Sequence, residues 1–416
     1  MRPRLAVALT FPVSPALGGG QVRVLNLYRE LARTFDVELV SLAPSGRSAR
    51  RTQLAPGLWE SQVPKSEEHA EAESDLARRA QVVVTDVAMP RLHRLTPDYM
   101  DALRAATQRA TAVIASHPYT YPVIREVSDA PLCYEAHNVE ATLKADLLRG
   151  NETALALLAE VRENERTCCQ EAHVVWTCSG EDRAELIKLY GVNHDDVLVV
   201  PNGVALDDFV YSAPATRLEL KRRLRMQDRF TALFLASWHQ PNVLAARRLV
   251  DVARDQPAVD FLVVGSVGAA LEEQLLPNNV SLTGAISAEL KRAVLGVADV
   301  ALNPVTTGSG TNIKMLDYFA SGTPVIASGF GARGLGVQPE QHYVRAEPDE
   351  IGAALTRVRA WEPSQLGALV RAARSHVEET LSWAAIADDL AIALLERFGV
   401  ELARPSHAHA PRGDRG

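Results

Sequence analysis

The chain has little cysteine, few aromatics and no strong excess of either charge, and each shortage excludes something. Its four cysteines, Cys133, Cys168, Cys169 and Cys178, lack CxxC spacing, and the adjacent pair cannot shape a zinc knuckle. They read as small core residues in a reducing cytosol, with no metal site expected. Lys and Arg number 44 against 51 Asp and Glu, a formal charge of -7, which argues against a dedicated nucleic-acid binder. No apolar run approaches the ~20 residues that span a bilayer. The stretch from Leu5 to Phe11 is short for a signal-peptide core and runs into Pro12 and Pro15, so it reads as a buried strand. What is present is 47% hydrophobic and 23% charged residues over 416 positions, an ordinary globular composition. That length exceeds what one core serves, so two domains are expected.

Apolar β-rich runs alternate with amphipathic helical patterns almost from end to end. In the first half, strands are expected at 5–9, 37–42, 82–87, 112–115, 132–135, 174–178 and 197–200. The second half repeats the scheme at 232–236, 261–264, 280–282, 300–302, 324–327 and 343–344. Continuous Val/Ile/Leu runs without strict alternation suit parallel strands covered on both faces. The fold class is therefore α/β, two doubly wound Rossmann-like units in tandem, with a boundary between about 205 and 229. Residues 62–75 read as a solvated acidic excursion, and the Pro- and His-containing end from Arg404 as disordered.

Tandem units of this kind predict a ligand in the crevice between them, at the carboxyl ends of the strands. Two strand-end loops stand out. The first ends in Gly18-Gly19-Gly20, which reads either as a flexible strand–helix connection or as a backbone approach to an anion. Its spacing is not that of a dinucleotide fingerprint. The second, Gly308-Ser309-Gly310-Thr311-Asn312, opens an expected helix over 311–320. Its N–H groups suit a phosphate or sugar hydroxyl, Lys314 would offset phosphate charge, and the Asp317 carboxylate would accept from a ribose diol. His117 follows the strand at 112–115, and His137-Asn138 follows the next one. Asn138 reads equally as a helix cap and as a cleft residue, and Asn202-Gly203 as a turn or as a cleft contact. Glu163, Glu165 and Glu171 fall along one charged helix, away from any strand end. Arginines at 47, 50, 51, 78, 79, 91 and 94 read as a solvated surface, with a basic patch for an anionic membrane or lipid-linked acceptor as the alternative.

Taken in order, these motifs resemble the retaining GT-B glycosyltransferases of family 4 over nearly the whole chain. The strongest match is 308–326, where the family has Glu, seven residues, a second Glu, a small-residue stretch and Gly-x-Pro-Val-Ile. Supporting matches are Gly19-Gly20, Ser179, Val200-Pro-Asn-Gly-Val204, Val263-Val-Gly-Ser266, Val280-Ser-Leu-Thr-Gly284 and Gly331-Ala-Arg-Gly-Leu335. The resemblance implies an acceptor-binding domain over 1–204, a donor-binding domain over 205–382, a crossover helix over 383–400 and a tail over 401–416. It implies a metal-independent transfer, with a nucleotide diphosphate sugar as co-substrate and no other cofactor. The acceptor, a sugar, lipid-linked, peptide or small molecule, is left open, as is peripheral contact with a membrane by a cytoplasmic protein.

By the same resemblance, His117 reaches the sugar and Asp317 takes the place of the second Glu. Ser309 stands where the family's first Glu grips the sugar, a departure shared by a Gly-Ser-Gly-Thr variety that usually has a basic residue where Asn312 stands. Gly19, Gly20, Ser237, His239, Gly308, Ser309, Gly310, Thr311, Asn312, Lys314 and Asp317 form the expected donor set. His137, Asn138 and Asn202 form the acceptor or cleft set. The family's Arg and Lys after the first strand of the second domain are missing from Ser237-Trp-His-Gln-Pro-Asn242. Lys314, His239 or Arg247 would have to compensate, with backbone N–H groups around Gly308 carrying more of the diphosphate charge than usual. A catalytically silent scaffold and a nucleotide-sugar 2-epimerase are the competing functions.

Overall fold

The computed structural model describes residues 2–16, 18–226, 229–308 and 311–400. The expected disordered tail lies outside them. The first eight strands are β1 (Arg4–Leu9), β2 (Asp36–Ala43), β3 (Arg50–Ala55), β4 (Leu58–Pro64), β5 (Ala112–Ser116), β6 (Leu132–Ala136), β7 (Val174–Thr177) and β8 (Val197–Val199). They form one sheet in the order β3-β4-β2-β1-β5-β6-β7-β8, parallel except for β3 against β4. The next six are β9 (Phe230–Leu235), β10 (Val259–Val264), β11 (Val280–Leu282), β12 (Val300–Asn303), β13 (Val325–Ala327) and β14 (Val344–Arg345). They form a second, wholly parallel sheet in the order β11-β10-β9-β12-β13-β14. These are two Rossmann-like domains of the GT-B type.

Three expectations change. Residues 82–87 form no strand, 82–84 being irregular and 85–87 a turn: β1 pairs directly with β2 on one side and β5 on the other, so no place remains for them, and Val83 is 87% exposed. The acidic stretch from 62 is no loose excursion. It completes β4 and enters the helix Glu67–Ala80, capped by Ser66, where Glu73 pairs with the buried Lys65. The hairpin β3–β4 escaped notice because β3 is polar and solvent-facing.

The helix Trp383–Arg397 returns from the second domain to the first, as the crossover reading implied. Its Ile386, Leu390 and Leu394 pack with Val24, Leu27 and Leu31 of the helix Gly19–Leu31 in one core. The crossing point is tight. Val204 N donates to Leu381 O at 2.9 Å and Trp383 N donates back to Val204 O at 3.2 Å. A Cβ on Gly203 would lie 2.8 Å from the Trp383 ring, so only glycine fits there.

Candidate functional site

Setting aside the edge hairpin β3–β4, the parallel strands of each sheet reverse order once, and the notable loops flank those reversals. In the first domain they follow β1 and β5; in the second they follow β9 and β12. Crevices at such switch points are where α/β sheets bind ligands.

In the second domain a cavity of 620 Å³ opens between the β9 and β12 loops. Ser237, His239, Gly308, Thr311, Asn312, Lys314 and Asp317 all line it. Ser309 and Gly310 lie outside the described residues. At the floor, Gly265 has φ 110°, and a Cβ would lie 2.2 Å from Ala236 O, so the wall admits no side chain there. The helix after the loop starts at Lys314, not Thr311, and spans seven residues, Lys314–Ala320. A dipole from so short a helix contributes modestly, and the positive charge comes instead from side chains.

Three cations line this cavity: Lys291, Lys314 and Arg333. Lys291 Nζ lies 2.5 Å from Asp317 Oδ2. Burial raises the Asp317 carboxyl, with Lys291 opposing. Lys314 has no carboxylate partner among the described residues. Its Nζ donates to Asn242 Oδ1 at 2.7 Å and sits 4.6 Å above the Phe234 ring, and burial pushes it down to about 7. Arg333 Nη2 donates to Gly308 O at 3.1 Å, its guanidinium lying 3.6 Å over the Phe330 ring. Arg247 is exposed on the helix Gln240–Arg254 and does not line the cavity. Of the expected compensating residues, Lys314 and His239 line the cavity and Arg247 does not; Arg333 adds a cation that the sequence reading had not named. Lys291 and Arg333 were missed because they stand 26 residues before and 16 residues after Asp317 in the chain. Arg333 lies inside the quoted Gly331–Leu335 segment, the one signal that pointed to it.

A second cavity of 320 Å³ lies in the cleft. It brings together His117, His137, Asn138 and Asn202 with Gly19 and Gly20, which the expected donor set had included. Thr311 and Ile313 line both cavities, so the two adjoin. His117 holds φ 80°, a conformation costly for a residue with a Cβ and concentrated at functional sites. Its Nδ1 lies 2.9 Å from Ser116 O, and its ring stands 4.3 Å from that of His137 and edge-on to Phe11. His137 Nε2 lies 3.1 Å from Ser116 Oγ, and burial pushes this imidazole down to about 4, leaving it neutral at pH 7.

Behind these rings lies a buried polar network that sequence reasoning missed. Burial opposes a charge on Glu135, but His137, the Arg23 guanidinium at 3.0 Å and the Tyr28 hydroxyl at 2.9 Å hold it below the usual carboxylate range. Asn138 does not cap the next helix; its Nδ2 donates to Glu140 Oε1 at 3.3 Å. The N–H groups of Glu140 and Ala141 donate instead to Glu165, at 2.7 and 2.9 Å. Glu165 is fully buried, not part of a solvated helix face, while Glu163 and Glu171 remain exposed. Asn202 is more than a turn residue, since it reaches Thr311 of the other domain at 3.0 Å. All four cysteines are buried, and burial raises the Cys178 thiol to about 11. Of the arginines read as a solvated surface, with a basic patch as the alternative, Arg51, Arg78, Arg79, Arg91 and Arg94 are each paired with a carboxylate. No helix among the described residues is long and apolar enough to cross a membrane.

The family model described as Glycosyltransferase Family 4 matches residues 17–208, and that described as Glycosyl transferases group 1 matches residues 229–360. The chain is 26% identical to a D-inositol 3-phosphate glycosyltransferase of Geodermatophilus obscurus, over 98% of this chain and 93% of the relative. It is 23% identical to an MMP alpha-(1->4)-mannosyltransferase of Mycolicibacterium hassiacum, over 89% and 92%. Among solved structures, a sucrose-phosphate synthase from Thermosynechococcus elongatus superposes with a TM-score of 0.73 at 18% identity, covering 96% of this chain and all of that one. HepE of Anabaena, in complex with UDP and glucose, superposes with a TM-score of 0.65 at 13% identity, covering 94% and 99%.

Proposed function

The chain belongs to glycosyltransferase family 4, and on that premise we propose that it moves a hexose-type sugar from a nucleotide diphosphate sugar to an acceptor, with retention and without a metal. The observation that carries this reading is the pair of cavities meeting at Thr311 and Ile313, one lined by Lys291, Lys314 and Arg333, the other by an Arg23 whose charge Glu135 already meets. The domain over 205–382 takes the donor. Lys314 and Arg333 neutralise its diphosphate together with the loop at Gly308 and Thr311, which is the task the absent Arg/Lys pair would perform. Asp317 keeps one oxygen on Lys291 and offers the other to the ribose diol. The domain over 1–204 takes the acceptor beside His137, Asn138 and Asn202, and His117 faces the sugar.

The acceptor hydroxyl oxygen bonds to the anomeric carbon on the face the diphosphate leaves. The carbon–oxygen bond to phosphate breaks, and the departing phosphate oxygen takes the hydroxyl proton. The protein's contribution is positioning and charge stabilisation on the leaving group. The relatives named above support a nucleotide-sugar donor, HepE having been solved with UDP and glucose.

A thermal-shift panel of nucleotide sugars identifies the donor, since a ligand held by the native state alone raises the melting temperature. Release of free nucleotide with an acceptor, and the anomeric configuration of the product by NMR, then test transfer and retention. A silent scaffold, the reading favoured by the missing Arg/Lys pair, releases none. Asp317→Ala weakens nucleotide affinity roughly 10- to 100-fold, the range for a hydrogen bond to a charged group. Unchanged affinity by calorimetry removes Asp317 from the donor site.

A further inference from the structure

A buried hydrogen-bonded chain joins the two cavities; the transfer scheme above uses its far end, Asn202 and Thr311, but gives Arg23 no part. Arg23, on the helix Gly19–Leu31, is 2% exposed, and the protein itself accepts four hydrogen bonds from its guanidinium. Nε donates to Glu135 Oε1 at 3.0 Å and Nη2 to Val200 O at 2.9 Å. Nη1 donates to Pro201 O at 3.1 Å and to Asn202 Oδ1 at 3.2 Å. Asn202 Nδ2 in turn donates to Thr311 Oγ1 at 3.0 Å, across the domain boundary.

A guanidinium engaged in this way has little left for a substrate anion, but it does decide which way the Asn202 amide points. Because Arg23 offers only donors, the carboxamide oxygen must face it, and the amide NH2 is then directed at Thr311. The planar fork lets one residue hold the buried Glu135 carboxylate and the 200–202 loop together, which a lysine cannot do. The bond ends on a residue that lines both the donor cavity and the cleft cavity.

Resting on the transferase reading, we propose that Arg23 is a positioning residue: it orients Asn202 so that the amide holds Thr311, and with it the donor loop, against the acceptor cavity. The bond acts on how the two substrates meet and adds nothing to donor affinity alone.

The test is a double-mutant cycle on Asn202→Ala and Thr311→Val, neither of which strands a buried charge. Each single substitution lowers kcat by about 3- to 10-fold, as for one lost neutral hydrogen bond; Asn202→Ala, outside the donor cavity, changes the donor KM less than about twofold, while Thr311→Val, which lies in it, is compared through kcat alone. The double variant is no slower than the worse single variant, because both remove the same bond. Arg23→Lys matches Asn202→Ala in the same split. Multiplicative effects in the cycle, or losses confined to KM, overturn the proposal. Hydrogen exchange supplies a readout that needs no turnover: Asn202→Ala speeds exchange at 311–313 in the other domain, and unchanged exchange there overturns the bridge. A wild-type chain that turns over no nucleotide sugar overturns the transferase reading instead, and the exchange result still decides the contact.

Discussion

The two domains share a fold but prepare their cavities in opposite ways. In the first, charge is satisfied before any ligand arrives: Glu135 is matched by Arg23 and Tyr28, and Glu165 by two backbone N–H groups and two tyrosine hydroxyls. In the second, Lys314 is held over an aromatic ring with only an amide oxygen for company. A saturated network fixes shape and orientation, whereas an underpartnered, desolvated cation favours an incoming anion. The contrast matches a division of labour in which one half places a hydroxyl and the other grips a diphosphate.

Breaking the first half should show in stability. Glu135→Ala strands the buried Arg23 and is expected to cost about 3–5 kcal/mol, measured as a lowered thermal midpoint. A shift too small to detect would make the network dispensable and remove the contrast. Breaking the second half should show in binding instead. Lys314→Ala is expected to weaken nucleotide affinity about 10- to 100-fold while leaving the melting temperature nearly unchanged. The comparison sharpens with pH. Lys314 is lowered to about 7, and the diphosphate binds its protonated form, so affinity is full below pH 7 and falls as pH rises through it. Lys314→Arg should flatten that profile in calorimetry, because a guanidinium stays charged. The smallest effect belongs to Arg247→Ala, which should change nucleotide affinity less than about twofold, since this exposed residue does not line the cavity.

Buried parallel strands were the most legible part of the sequence, because their Val/Ile/Leu runs carry the burial signal on both faces. Residues 82–87 show where that signal misleads: four valines suit a strand, but the neighbouring edges of β1 were already taken. Strand β3 shows the converse, a real strand whose exposed Arg50, Arg51 and Thr52 carry no hydrophobic signature. At the site, His117, His137 and Asn138 were findable because each follows a recognisable strand. Arg23, Glu135 and Glu165 were not, since their roles exist only where segments more than 20 residues apart meet in three dimensions. Glu165 looked like one more acid on a charged helix, and only its placement under the start of the helix Glu140–Ala145 shows otherwise.

The crossover helix also bears on how the chain is made. The face of the helix Gly19–Leu31 that carries Val24, Leu27 and Leu31 is covered by residues 386–394, so the first domain lacks part of its core until that later helix exists. At roughly 5–20 residues per second, the nearly 200 residues between β8 and the end of that helix take on the order of 10–40 s to synthesise. Throughout that interval the apolar face carrying Val24, Leu27 and Leu31 stands uncovered on the nascent chain.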